Sequence, residues 1–176
     1  MHKIFTSALV LMLTLACLSA EAVVFGWLKK KELQLSPEVE GVILLEGQAL
    51  TGIRITRDIT YGDEVFSDHI LTGKDGRFSL PTKVIRVRDS MFDTNVRQEI
   101  YAEHEGKLYK LWRARALNSV DYKSFNQLLS GMICELTSPE MLFDLEREPT
   151  QPGVYLIATS ICSFIDESPI TNKEPA

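Results

Sequence analysis

The sequence predicts a mainly β fold, a sandwich of short strands, on three observations. Apolar and polar residues alternate with a period of two along much of the chain, the pattern of half-buried strands. Turns rich in Gly, Pro and Asp interrupt these runs at roughly 8–12-residue spacing, as in sandwiches and barrels. Only two short stretches carry a helical pattern, around residues 119–129 and 139–147.

The chain opens with features of an export leader. His2 and Lys3 are polar and basic, Ile4 to Leu18 is almost wholly apolar, and Ala20-Glu21-Ala22 is a small-x-small exit. That order is what a signal peptidase recognises, with cleavage after Ala22 or after Ala20. The apolar run falls short of the about 20 residues a membrane span needs. Cys17 after Leu15-Ala16 offers lipoprotein anchoring as the alternative, but Thr14 stands where such a site wants a branched aliphatic residue. Residues 1–22 are read as a signal peptide. Residues 23–36 form a lead-in segment with an edge strand and contain the basic run Lys29, Lys30 and Lys31. That run is read as a solvated charge cluster and as the one place for membrane contact.

From Val39 the strands begin. Val42 to Leu45 is apolar on both faces, a central strand. Ile53, Ile55 and Ile59 alternate with Arg54, Thr56 and Asp58, a half-buried strand. Tyr61-Gly62-Asp63 turns the chain into a strand over 65–71. Gly73-Lys74-Asp75-Gly76 is a tight turn, after which Phe78 and Leu80 share a face and Pro81 stops the run. Ile85 and Val87 alternate with Arg86 and Arg88. Residues 99–104 and 107–112 flank Glu105-Gly106 as a hairpin. Ser119 to Leu129 reads as a short helix, with Tyr122, Phe125 and Leu129 at helical spacing. Met132, Cys134 and Leu136 mark another strand. Pro139 to Arg147 reads as a brief helix with Pro at its first position, and Val154 to Phe164 as a second central strand. Residues 166–176 are polar with two prolines and are expected to be a disordered tail. The sandwich domain is thus placed at 37–165.

Composition narrows the function. The formal charge is −5, and removing the leader takes one Lys and one Glu and leaves it unchanged. Nucleic-acid binders carry a basic face, so nucleic acid is not the expected partner. Without Cys17 the cysteines are Cys134 and Cys162. An even pair in an oxidising compartment suggests a disulfide, with two buried free thiols as the alternative.

Residues Pro37 to Pro81 resemble the carboxypeptidase-regulatory-like, or transthyretin-like, β-sandwich domain. The resemblance rests on Val39-Glu40-Gly41-Val42, Gly47, Leu50-Thr51-Gly52-Ile53-Arg54-Ile55 and Thr72-Gly73-Lys74-Asp75-Gly76-Arg77-Phe78. It implies a transthyretin-like sandwich with Phe78 in its core. The mature chain is also similar to a family of uncharacterised exported proteins of Gram-negative bacteria. The cues are Trp27 to Lys31, Ser36 to Gly41, Tyr109 with Trp112, Ile133-Cys134-Glu135-Leu136-Thr137 and Ile161-Cys162. The paired cysteines of that family match Cys134 and Cys162. The resemblance implies a location and a fold but no activity.

The residues for chemistry are sparse. The mature chain keeps two histidines, His69 and His104. There is no Gly-x-Ser-x-Gly elbow and no His-x-x-x-His or Cys-x-x-Cys spacing for zinc. Glu103-His104-Glu105 on a strand sends neighbours to opposite faces, so no metal site is expected there. Asp75-Gly76 lacks the further aspartates of a calcium loop. The hydroxyisourate hydrolase built on the transthyretin-like fold has a Tyr-Arg-Gly-Ser ending, which this chain lacks. No catalytic residue, metal or cofactor is assigned. Arg54, Arg57, Arg77, Arg86 and Arg88 are candidates for one basic face, with ion pairing as the plainer alternative. Tyr101, Tyr109, Trp112 and Tyr122 are read mostly as core and sandwich-rim residues; where some sit together on the surface, Tyr101, Tyr109 and Trp112, with Arg86 and Arg88, are the candidates for an interface, since Tyr, Trp and Arg dominate hot spots. The expectation is therefore a non-catalytic periplasmic or secreted protein that binds another protein, as an inhibitor or immunity protein against an envelope-targeted toxin. A carbohydrate- or envelope-binding module, which needs an exposed aromatic platform, is one alternative. An enzyme of unrecognised type, which needs a histidine meeting carboxylates in a pocket, is the other.

Overall fold

The computed structural model describes residues 30–88, 95–117, 122–145 and 156–176. The leader, with Cys17 and Lys29, lies outside them. The chain divides into two compact units, one of residues 1–33 with 86–91 and a larger one of 34–85 with 92–176. In the smaller unit Arg86 Nη2 stands 3.2 Å from Glu32 Oε1, an exposed ion pair. Strands β1 (Lys30–Ser36) and β7 (Lys83–Arg88) pair as a two-stranded sheet.

The larger unit is a β-sandwich. Its five-stranded sheet contains β2 (Val39–Leu45), β3 (Gln48–Ala49), β6 (Arg77–Leu80), β10 (Met132–Glu135) and β13 (Cys162–Phe164). The order is β13-β10-β2-β3, with β6 also on β2. The seven-stranded sheet adds β4 (Arg54–Tyr61), β5 (Glu64–Leu71), β8 (Asn95–His104), β9 (Lys107–Leu117), β11 (Met141–Leu145), β12 (Leu156–Ser160) and β14 (Ile170–Pro175). Its order is β14-β11-β12-β9-β8-β4-β5. A helix, α1 (Tyr122–Leu129), carries the chain from β9 of one sheet to β10 of the other.

The period of two explains the core. Val39 and Ile43 of β2, Phe78 and Leu80 of β6, and Met132 and Cys134 of β10 meet Ile55, Ile100, Trp112, Ala114 and Phe143 of the second sheet in one buried cluster. The helix adds Phe125, Leu128 and Leu129. Trp112 lies edge-on to Phe125 at 5.6 Å and to Phe164 at 5.8 Å between ring centres. Full burial of each such ring contributes on the order of 2–3 kcal/mol. Cys134 and Cys162 stand directly opposite on β10 and β13 and are joined by a disulfide with a Cα–Cα distance of 4.1 Å.

Two residues hold the β2–β3 turn. Gly76 has φ +74°, and a side chain there would come within 2.8 Å of Ile43 O. Glu135 reaches across from β10, where its Oε1 and Oε2 accept the Glu46 and Gly47 amides at 3.0 and 2.9 Å. The same carboxylate accepts the Thr137 hydroxyl at 2.9 Å. The Gly47 amide foremost, then Thr137 and Glu46, hold the Glu135 carboxyl below its ordinary value of 4.5. A carboxyl depressed by folding stabilises the fold above its unfolded pKa, and that stability is lost as pH falls through the folded value. Glu135→Gln is therefore expected to lower the urea midpoint at neutral pH, with the difference from wild type closing below about pH 4. Urea titrations of both proteins across pH 3–7 check this.

Three expectations are corrected. Residues 139–147 do not start a helix: Met141 to Leu145 is strand β11, paired to β12 on one side and β14 on the other. Met, Leu and Glu are good helix formers, but Phe143 and Leu145 alternate inward and two flanking strands satisfy the backbone, so tertiary pairing overrides propensity. Residues 146–147 lie outside the described ones. The tail at 166–176 contains a strand, β14, over Ile170–Pro175 on the sheet edge. Its side chains from Thr171 onward are exposed, which suits a polar edge strand, and Lys173 stands 5.4 Å from the Phe143 ring centre. The single strand expected at 154–164 is two, broken at Ile161, with β12 in one sheet and β13 in the other. A strand that changes sheets at a sandwich corner is apolar on successive residues for that reason. Residues 154–155, and 119–121 of the expected helix, lie outside the described ones.

Candidate functional site

The larger unit carries an open groove of about 580 Å³. Its floor is Gly41 of β2, Phe78 of β6 and Met132 of β10, and its rim carries Glu40 and Arg77. Gly41 makes the floor flat. A side chain there would come within 2.7 Å of Met132 O and 2.9 Å of the Phe78 ring, so only glycine allows β10 and that ring to approach so closely. The walls are apolar and uncovered: Ile70 is 40% exposed, Leu71 55%, Ile133 37% and Ile165 77%. Exposed isoleucines and leucines scattered singly are ordinary, but four that line one groove are a contiguous patch of the kind that marks an interaction site. β5, which brings Ile70 and Leu71, is the terminal strand of its sheet. It pairs with β4 alone, so its outer edge has no strand partner among the described residues.

Within the larger unit Trp112, Tyr109 and Tyr101 do not form one exposed aromatic surface. Trp112 is wholly buried in the core. A bulge causes this: Ile100 faces Trp112 while Tyr101 faces Lys110, so Leu111 is the extra residue and both it and Trp112 turn inward. Tyr109 is half-buried against the core, with Lys107 Nζ 4.4 Å from its ring centre. Tyr101 is half-buried, on strand β8. Burial first, then the nearby Glu99 carboxylate, raises its hydroxyl pKa. Arg86 pairs with Glu32, and the Arg88 side chain lies outside the described residues. The exposed aromatic platform required by a carbohydrate-binding reading is not made by these residues.

For the arginines considered as a basic face, ion pairing is what the structure gives at Arg54, Arg57, Arg77 and Arg86. Arg54 stands 4.0 Å from Glu103 and Arg77 3.4 Å from Asp75. Arg57 is fully buried. Its Nε and Nη2 donate to the two Asp68 oxygens at 2.9 and 2.6 Å, its Nη1 to Ser36 Oγ and Pro37 O, and its Nη2 also to Pro81 O. All five guanidinium hydrogens are thereby placed, so Arg57 is a structural clamp. The alternation Ile55, Arg57, Ile59 already puts this arginine on the inward face.

The histidines do not meet carboxylates in a pocket. His69 is exposed on β5, and His104 Nε2 is 4.0 Å from Glu105 Oε1 at a hairpin end. Among the described residues no group of three or more His, Cys, Asp or Glu is placed to hold a metal ion. Among them, too, no helix is long and apolar enough to cross a membrane.

Residues 39–139 match the family model described as domain of unknown function DUF6795. The chain belongs to the DUF6795 family. The matched segment runs from β2 to just past β10, so it includes the groove floor, Arg57 and Cys134. Cys162 and strands β11 to β14 follow the DUF6795 segment and complete both sheets. No curated protein and no solved structure matches the chain. The groove was missed in the sequence because its four uncovered side chains come from β5, β10 and the residue after β13, too far apart along the chain to form a motif.

Proposed function

We propose that this chain is a non-catalytic binding protein of the cell envelope, periplasmic or secreted, that seats an extended segment of another protein in the groove beside β5. The observation that carries the reading is the uncovered apolar wall of Ile70, Leu71, Ile133 and Ile165 next to an unpaired strand edge. An extended peptide added to a sheet edge gains backbone hydrogen bonds there, while its alternate side chains fill an adjoining pocket. The leader pattern and a Cys134–Cys162 disulfide, which is compatible with an oxidising compartment, support the location. An inhibitor or immunity protein against an envelope-targeted toxin is the functional class that suits a small exported binder.

The finer architecture proposed is transthyretin-like. The motif residues of the resemblance support it: Gly41 pairs with Phe78 across β2 and β6, and Gly76 takes the positive φ of the turn before Phe78.

The test is a paired substitution. Leu71→Glu with Ile133→Glu changes two exposed side chains, so the melting temperature is expected to stay within a few degrees of wild type. Affinity for the protein partner is expected to fall at least about 30-fold, from roughly 1–2 kcal/mol for each apolar contact at the centre of an interface. Unchanged affinity in the folded double variant would refute the groove as the site.

A further inference from the structure

A second cleft, of about 260 Å³, opens on the seven-stranded sheet and is lined by Arg97, Arg113, Arg115, Ile157 and Thr159. The register of β8 and β9 builds it. Arg97 lies directly opposite Arg115, and Glu99 directly opposite Arg113. Thr159 of β12 stands opposite Arg113 on the other side. Like charges directly opposite on neighbouring strands destabilise a sheet. The Arg113–Glu99 pair, at 3.3 Å, is relieved. Arg97 and Arg115 have no ion-pair partner among the described residues. The cluster thus keeps a net charge of +2 in a chain of net charge −5.

Two buried polar atoms sharpen the point. Arg97 Nε and Thr159 Oγ1 are both buried without a hydrogen-bond partner. The other end of Arg97 is held, since its Nη2 reaches Thr60 Oγ1 at 3.4 Å. Buried donors are almost always satisfied, and a donor left open beside two unneutralised guanidiniums lacks an acceptor that carries negative charge. We propose that Arg97, Arg115 and Thr159, with Arg113 beside them, form a binding cleft for a phosphate group. Guanidiniums bind phosphate through parallel, charge-assisted hydrogen bonds, and the threonine hydroxyl supplies a further donor. The cleft is several times larger than the about 30 Å³ that a water occupies in the liquid. Ile157, 56% exposed at its side, gives an apolar flank to whatever bears the phosphate. Free phosphate and the phosphate of a lipid headgroup share this chemistry.

The opposed arginines make the proposal testable without knowledge of the natural ligand. Arg115→Gln removes the repulsion and one phosphate donor together. The variant is expected to melt at a higher temperature than wild type in phosphate-free buffer. Wild type is expected to gain melting temperature with inorganic phosphate, relative to chloride at equal ionic strength, and Arg115→Gln to gain at least tenfold less sensitivity than wild type. Thr159→Val, nearly isosteric, keeps the fold and is expected to weaken phosphate binding in calorimetry. If inorganic phosphate has no effect but wild type sediments with phosphatidic acid vesicles and Arg115→Gln does not, the phosphate is that of a lipid headgroup. Equal responses of wild type and both variants to phosphate and to such vesicles, or no response of wild type to either, would overturn the proposal.

Discussion

Replacement of Arg57 by alanine is expected to destabilise the protein by about 3–5 kcal/mol, the cost of breaking a buried ion pair by removing one partner. Folded domains hold only about 5–15 kcal/mol in all, so the variant sits near or beyond the edge of folding. The loss has several parts. Asp68 is left without its bidentate partner, and the Pro37 and Pro81 carbonyls and Ser36 Oγ lose a donor each. Ser36 also receives Gln98 Nε2 at 2.7 Å, which ties β1 and β8 into the same network. Lysine is not a substitute, because three rotating donors cannot meet this fixed arrangement of acceptors. The double variant Arg57→Met, Asp68→Leu is expected to recover part of the loss and not all of it. It removes the unpaired charge but takes the guanidinium donor from Pro81 O and from Pro37 O, which keeps Ser36 Oγ at 2.8 Å. Urea unfolding of wild type, the single variant and the double variant measures this directly.

The second large effect is that of the disulfide. The Cys134–Cys162 bond closes a loop with a sequence separation of 28, which on chain entropy contributes about 3.5 kcal/mol. Cys134→Ala with Cys162→Ala is expected to lose about that much, a fall of roughly 2 M in the urea midpoint at the slopes usual for small proteins. Wild type in strong reductant is expected to fall by a similar amount and the double variant not to change. The bond joins β13 to β10. Its loss therefore also loosens the residue after β13, Ile165, whose amide donates to Gly131 O at 2.9 Å on the wall of the groove.

Much of the fold was legible because sandwiches are written in a period of two. The strands from Val39 to Val87, the hairpin at Glu105-Gly106 and the helix ending at Leu129 follow from local pattern. The inward face of β4 was equally legible, since Arg57 shares it with Ile55 and Ile59, but a lone arginine reads as a surface residue until its five acceptors are seen. What local pattern does not carry is pairing across long separations. β14 is polar because an edge strand needs only its backbone, so composition alone makes it look like a tail. That Leu111 and Trp112 both turn inward is set by a bulge against the partner strand β8, which a strict period of two does not carry.

The candidate sites were less legible than the fold for the same reason. Ile70, Ile133 and Ile165 become neighbours only through sheet order. Arg97 and Arg115 become opposite only through the β8–β9 register, although Arg113-Ala114-Arg115 already places two arginines on one face of a strand.

The groove beside β5 is proposed to hold a segment of another protein. The most direct measurement places a photoreactive phenylalanine analogue at position 133, in the groove, and in a separate protein at position 157, which is exposed on β12. Each is expressed in cells that make the natural chain and illuminated. One discrete protein adduct is expected from position 133, absent when Leu71→Glu is added, and none from position 157. Illumination that gives no protein adduct at position 133, or the same adducts at both positions, would contradict that proposal.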